Sequence, residues 1–349
     1  MERSLSSRFG VASQPSVMSF SVTSERSGLE YCATNLDTLF AQRRNLVSLP
    51  FWGMLREIFR FNRESRELYG SSDMTLTLGS YLAEKGYSRR FIDDFMVPMG
   101  SAIWSADPAR FLQFPAAAFV QFFTNHGILN VIDQPQWRVI RGGSRQYVEP
   151  LVRPFRDRVR LSSPVEQVRR HGDRVEVTTR GGGPESFDQV VLACHSDQAL
   201  AMVADPSDAE RELLNAIPYQ ENDTVLHTDE GLLPDLPKAR ANWNCRIPRE
   251  ERGSATLTYW MNRLQSLQAP VEFCVTLNTP NAIAPEKVIG RMVYHHPVYS
   301  TASFQAQKRR HEISGVNRTW YCGAYWGYGF HEDGLASALT VCRHFGRGL

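Results

Sequence analysis

Residues 321–338 read "YCGAYWGYGFHEDGLASA". Glycines at 323, 327, 329 and 334 are interleaved with Tyr325, Trp326, Tyr328 and Phe330, and the acidic pair Glu332–Asp333 stands ahead of small residues. That mixture is too polar and too rich in glycine for an ordinary core helix. Its first residues belong to "TWYCG" (319–323), a short apolar run with strand character, and it runs into "EDGLASALTVCRHF" (332–345), which has small residues along one helical face. A strand that turns through glycine into a helix leaves unpaired N–H groups and a partial positive charge at the turn. Such a helix start donates hydrogen bonds to a carbonyl or an anion. Gly334 and Ala336 would let a flat ligand approach the backbone, and Tyr325, Trp326 and Tyr328 would wall it. On chemistry alone the segment is equally a glycine-rich connection whose rings simply pack.

Working outward, "FDQVVLAC" (187–194) is β-branched and apolar on both faces at its centre, the pattern of a buried parallel strand. "SDQALAMV" (196–203) then reads as a helix. "RVRLSSPVEQVRR" (158–170) and "RVEVTTR" (174–180) are extended runs between turns at 171–173 and 181–184. A glycine pair at 142–143 precedes another helix. Residues 35–127 are mostly helical. Their first helices break near Pro50 and place Leu55, Ile58, Phe59 and Asn62 on one face. Gly86 stops the helix over 77–86, Ser88 caps the next, and Pro115 opens one more that ends before Gly127. Residues 17–23 alternate like a strand, and several further strands fill 223–295.

The chain has 349 residues, enough for two domains. A net charge of +2 gives no electrostatic case for nucleic acid. The six cysteines, at 32, 194, 245, 274, 322 and 342, form no CxxC and no zinc spacing, so no metal site is expected. As buried thiols they suit a reducing cytoplasm. His295 and His296 alternate faces on a strand and cannot readily share a metal. No apolar run approaches the ~20 residues of a membrane helix, and the N-terminus lacks a signal peptide's apolar stretch. No GxSxG nucleophile motif occurs. His331, beside the acidic pair, is the candidate general acid or base, because imidazole titrates near neutrality. Trp104, following a helix, is a candidate lining residue of a substrate pocket.

The segment 318–339, with "GGSRQYVEPL" (142–151), "VRLSSPVEQVRRHGDRVEVTT" (159–179) and "FDQVVLACHSDQAL" (187–200), resembles FAD-dependent oxidoreductases of the flavin amine oxidase and phytoene desaturase superfamily. The likeness is closest to a bacterial branch of predicted NAD/FAD-binding proteins and extends over essentially the whole chain. It implies an α/β fold of two interleaved domains. Residues 141–205 and 313–349 would form the FAD-type domain. Residues 1–140 and 206–312 would form a substrate domain with an antiparallel sheet and a helical cap. The resemblance also implies FAD as cofactor. Val165 would contact adenine through its backbone, and Gly323, Ala324, Glu332, Asp333, Gly334 and Leu335 would line the flavin.

Two departures qualify this picture. The GxGxxG unit that cradles the pyrophosphate in the family is absent, so the sequence resembles a relative without its first ~60–70 residues. The expected consequences are weak FAD retention, a FAD-type domain incomplete at its N-terminus, and self-association through an open sheet edge. The stretch "IPYQENDTVLHTD" (217–229) lacks the lysine that many amine oxidases place near the flavin. That favours a desaturase, isomerase or saturase acting on an apolar, lipid-like small molecule. The alternative is a cofactor-less remnant or a binding module for apolar ligands without catalysis.

Overall fold

A computed structural model describes residues 10–105, 108–130, 135–249 and 256–348. The opening residues 1–9, part of the expectation about the N-terminus, lie outside the described residues. The chain divides into two units, each built from two stretches: Met1–Val152 with Gln220–His296, and Arg153–Tyr219 with Pro297–Leu349. Interleaving of this kind is what the resemblance implied.

The first unit is organised on a seven-stranded sheet. Its strands are β2 (Phe20–Ser24), β3 (Leu29–Cys32), β9 (Tyr219–His227), β10 (Trp243–Ile247), β11 (Thr256–Trp260), β12 (Cys274–Leu277) and β13 (Val288–Pro297). The spatial order is β13-β9-β12-β11-β10-β2-β3. β2 runs parallel to β10, whereas β2–β3, β10–β11, β11–β12 and β12–β9 are antiparallel. A separate ribbon pairs β1 (Ser13–Pro15) with β4 (Arg138–Ile140). One sheet face buries Cys245, Leu257 and Leu277 with Ala102. Polar strand residues are also buried, and they satisfy one another: Thr258 Oγ1 and Thr276 Oγ1 lie 2.8 Å apart, and His227 Nε2 lies 2.8 Å from Thr276 Oγ1. Burial lowers the His227 pKa, so the ring is a neutral partner there.

The helices of this unit are α1 (Leu49–Glu64), α2 (Leu78–Glu84), α3 (Val97–Trp104), α4 (Ala116–Asn125) and α5 (Arg145–Val152). Three expectations change in detail. The break expected near Pro50 falls at Ser48, which caps α1, and Pro50 itself sits in the first turn, where its missing N–H costs nothing. The buried face of α1 carries Phe51, Met54, Leu55 and Phe61, while Phe59 is 58% exposed. Pro115 is the N-cap of α4 rather than a first-turn residue. Gly86 does end α2, at φ +66°, a left-handed conformation that a side chain would oppose. Ser88 caps as expected, its hydroxyl accepting from Phe91 N at 3.2 Å. Phe61 is the hub of the helical layer, with Tyr81, Tyr87, Phe91 and Phe119 rings at 5.9–6.3 Å.

The second unit holds an antiparallel meander of β5 (Val165–Arg170), β6 (Val175–Thr179) and β7 (Pro184–Phe187), and a parallel pair of β8 (Val190–Leu192) with β14 (Thr319–Tyr321). Its helices are α6 (Ser196–Met202), α7 (Asp208–Asn215), α8 (Thr301–Lys308) and α9 (His331–His344). "FDQVVLAC" is thus not one strand. Phe187 closes the meander and Val190 opens β8, and Val191 is 46% exposed rather than buried. The β8–β14 pair is two strands wide, so the side of Val191 turned from β14 has no strand beside it among the described residues.

A buried ion pair ties three of these elements together. Arg170 of β5 and Glu210 of α7 have side chains only 2% and 3% exposed. The guanidinium donates to both Glu210 oxygens, Nη2 to Oε2 at 3.0 Å. Tyr321 of β14 donates its hydroxyl to Glu210 Oε1 at 2.7 Å, and Ser207 N donates to Oε2 at 2.8 Å. Burial alone would raise the Glu210 pKa, but Arg170, Tyr321 and the Ser207 amide outweigh it and the pKa is lowered.

Two outcomes are expected. Arg170→Met leaves Glu210 as an uncompensated buried charge and should cost about 3–5 kcal/mol in urea unfolding. Because the folded carboxyl titrates below its unfolded value, its stabilisation is complete above about pH 4.3 and is lost as pH falls through the folded pKa. A wild-type unfolding midpoint that falls between about pH 6 and pH 3.5 no faster than that of Glu210→Gln would contradict this assignment. Separately, Phe61→Ala should destabilise by about 3–5 kcal/mol, measured the same way, since four rings surround the cavity it leaves.

Candidate functional site

β8 and β14 are aligned with Val190 beside Thr319 and Leu192 beside Tyr321, so both end at the same edge of the unit. In open parallel sheets, ligands sit outside the carboxyl ends of the strands. Here β14 runs through Cys322 into Gly323, and β8 runs through Ala193, Cys194 and His195 into α6. A Cβ on Gly323 would stand 2.5 Å from Tyr325 Cε1 and 3.4 Å from Cys194 O, so a larger residue must displace the Tyr325 ring. Gly323 N donates to Ser337 Oγ at 2.9 Å, and Ser337 Oγ donates to Gly334 O at 2.8 Å, which ties the turn to α9. Gln307 Nε2 clamps the aromatic turn by donating to Tyr325 O at 2.9 Å and Gly327 O at 2.7 Å. At Gly327 a Cβ would meet Asp333 Oδ1 at 2.3 Å.

Two adjacent polar groups at this edge are unsatisfied. Tyr325 is 3% exposed, and neither its Oη nor the buried Nε1 of Trp326 has a hydrogen-bond partner among the described residues. A buried donor without a partner costs about 1–3 kcal/mol. Burial holds the Tyr325 phenol well above its usual range. Arg310 places its guanidinium 5.6 Å from the Trp326 ring and donates to Ser337 O at 2.9 Å. Burial lowers its pKa, Tyr325 and Cys322 act against that shift, and no ion pair joins Arg310 to a carboxylate among the described residues. Across the edge, the His195 ring stacks on Tyr219 at 4.3 Å and 12°. Tyr219 Oη accepts from Ser196 N at 3.0 Å, and burial pushes its phenol up to about 12.

The residues singled out from the sequence separate into groups. Val165 begins β5 and lines an apolar cavity of about 620 Å³ with Val168, Val177, residues 190–194 and Met202. Cys194 belongs both to that cavity and to the surroundings of Gly323, so the two regions meet at the end of β8. Gly334 and Ala324 are neighbours: a Cβ on Gly334 would lie 3.7 Å from Ala324 N. Leu335 is half-buried beside them. Asp333 is turned to its own helix, accepting from Phe330 N at 2.9 Å, while His331 and Glu332 are exposed. Tyr328 packs on Phe304 at 5.9 Å, and burial pushes its phenol to about 12. Trp104 belongs to the other unit, where it packs among Phe111, Phe114, Phe119 and Phe122. Arg310, Gln307, His195 and Tyr219 were not singled out from the sequence. Of these only His195 carried a local signal, as the residue directly after an apolar strand and before a helix.

The family of flavin containing amine oxidoreductases matches residues 4–270. Among solved structures, the chain is similar to a fatty acid isomerase from P. acnes that produces CLA, with TM-score 0.68, 14% identity, and coverage of 99% of this chain and 84% of that one. It is also similar to cyclohexylamine oxidase from Brevibacterium oxydans IH-35A, with TM-score 0.63, 14% identity and coverage of 98% and 85%. Putrescine oxidase, in a structure bound to putrescine, gives TM-score 0.65, 11% identity and coverage of 99% and 85%. At such identities the structural likeness shows the fold alone, and it extends over the aromatic turn that the family match leaves out. No curated protein matches the chain in sequence. With well over half of its length matched, the chain belongs to the flavin containing amine oxidoreductase family.

Proposed function

We propose that this protein is an FAD-dependent oxidoreductase that passes hydride between flavin and a small apolar or lipid-like substrate. The observation that carries this reading is the pair of buried, unpartnered polar atoms, Tyr325 Oη and Trp326 Nε1, beside Arg310 at the carboxyl ends of β8 and β14. A flat group with a polar edge and negative charge fits that set: two unsatisfied side chains gain partners, and a cation without a carboxylate gains an anion. Bound flavin would supply the two-electron chemistry. The chain's own part is to bind and orient it. Gly323 and Gly334 keep the backbone open beside the turn, Gln307 fixes the turn, and Tyr325 with Trp326 excludes water from it. His331 stands in solvent contact and is poorly placed for a proton transfer that must exclude water. The stacked pair His195–Tyr219 is the better candidate for holding a proton near the ring.

Absence of a lysine in 217–229 supports desaturation, isomerisation or saturation of an apolar compound over amine oxidation. Non-catalytic binding of an apolar ligand is the second reading, and the cavity walls favour it: Gln198 is their one polar side chain. Anaerobic bleaching of bound flavin by a substrate separates the two.

Titration of the purified chain with FAD, followed by flavin absorbance and fluorescence, tests the main reading. Arg310→Met should weaken FAD binding by about tenfold to a hundredfold, as expected for one charge-assisted contact. Tyr325→Phe should weaken it less, while stabilising the flavin-free chain by about 1 kcal/mol because an unsatisfied hydroxyl is removed. Absence of FAD binding by wild type, or equal affinity in all three proteins, would remove the reading.

A further inference from the structure

β9 ends in His227, which is 0% exposed, and both of its ring nitrogens are engaged. Asp229 N, a backbone amide and so always a donor, points at Nδ1 from 3.0 Å. Nδ1 is therefore the acceptor, and the neutral ring carries its proton on Nε2. Nε2 then donates to Thr276 Oγ1 of β12 at 2.8 Å, which leaves the Thr276 hydroxyl to donate to Thr258 Oγ1 of β11, also at 2.8 Å. Thr276 and Thr258 are buried, so water does not stand in for either. One imidazole thus sets the order of donors and acceptors across three strands.

The residue that supplies the amide is itself a junction. Asp229 caps the 3₁₀ turn Glu230–Leu232, its Oδ1 accepting from Gly231 N at 3.1 Å and from Lys287 Nζ at 3.0 Å. Its Oδ2 accepts from Ala284 N at 3.0 Å. Thr228 N donates to Lys287 O at 3.0 Å. Segment 284–287, which leads into β13, is thereby tied to the end of β9. The Ala284 amide, Lys287 and the Gly231 amide hold the Asp229 carboxyl down at about 2, against burial.

A second proton on the ring has no place in this arrangement. Nδ1–H would face Asp229 N–H, donor against donor, and a charged ring would stand out of water. The charged groups acting on the ring are Asp229, which favours the imidazolium, and Lys287, which opposes it; burial outweighs Asp229 and lowers the pKa. Cys274 of β12 stands opposite His227 in register, and burial pushes its thiol up to about 12, so it brings no charge.

We propose that His227 and Asp229 form an acid-operated latch joining β9 and β12 to segment 284–287. Protonation of His227 expels the Asp229 amide, and the Asp229 carboxylate is drawn from Ala284 and Lys287 toward the imidazolium. The turn at 229–232 and segment 284–287 then part from the end of β9. The latch lies within the first unit and does not rest on the cofactor reading.

Nitrogen-15 NMR and amide hydrogen exchange on the full chain test it. At pH 7.5 the His227 ring should show the Nε2–H tautomer. Between pH 7.5 and 5.5, protection of the Asp229, Gly231 and Ala284 amides should fall about fivefold or more relative to amides of β10. Because the folded ring titrates below its unfolded value of about 6.5, its stabilisation is complete above that pH and is lost as pH falls through the folded pKa. Glu210 contributes in full above about pH 4.3, so the two windows are separate. Over the same range the urea unfolding constant of wild type should rise about fivefold to tenfold more than that of His227→Gln. Lys287→Met alters an exposed side chain and removes the charge that opposes protonation, so it should move the loss of protection to higher pH. The proposal is overturned if the ring carries its proton on Nδ1, or if Asp229 protection in wild type is independent of pH over this range. It is equally overturned if Lys287→Met leaves the pH of opening unmoved, or if a folded His227→Gln responds to pH as wild type does. The wild-type readings decide the matter even where His227→Gln does not fold.

Discussion

Placing a guanidinium and a carboxylate out of water costs several kcal/mol per ion, and the cost is tolerable only when every lone pair and donor is used. The Arg170–Glu210 pair meets that condition through donors from different parts of the chain: both Arg170 amines, the Tyr321 hydroxyl and the Ser207 amide. Arg170 belongs to the meander, Glu210 to α7 and Tyr321 to β14, so none of the three can slide without stranding a charge. Two residues beyond Tyr321 is Gly323. The position of the whole aromatic turn is thus inherited from an ion pair that takes no part in its chemistry.

The turn itself shows the opposite economy. Gln307, Ser337 and Asp333 satisfy its backbone, but Tyr325 Oη and Trp326 Nε1 are left buried and unpaired. Glu210 is satisfied by four donors, whereas two adjacent donors are left empty where the parallel strands end; buried polar atoms of this kind call for a physical explanation. The apolar cavity meets the turn at Cys194, so the unpaired donors and an uncharged surface lie side by side.

The helical layer of the first unit follows a similar division between inside and outside. Phe61 gathers four rings, and the opposite side of α1 leaves Leu49, Trp52 and Phe59 exposed. Sequence periodicity alone placed Phe59 with the buried face, because an aromatic residue four positions from Leu55 is consistent with either side of a broad apolar helix. Packing against Tyr81 and Phe91 chose Phe61 instead.

Sequence by itself determined the order of elements, the caps at Ser88 and Gly86, the strand character at 190–192 and 319–321, and the glycine-marked turn. These follow from local rules: periodicity, φ preference and hydrogen-bonding at helix ends. The resemblance carried the interleaved fold, since no local rule says that residues 220–296 rejoin residues 10–152. Tertiary structure alone decided that Val191 faces outward, because exposure of a strand residue depends on what packs beside it. It alone decided that Asp333 accepts from Phe330 N at the start of its own helix. It also brought Arg310, Gln307, His195 and Tyr219 to the ends of β8 and β14 from positions up to 131 residues from Tyr325–Trp326. Burial, charge compensation and unpaired donors are properties of neighbours in space, and a single sequence records only neighbours along the chain.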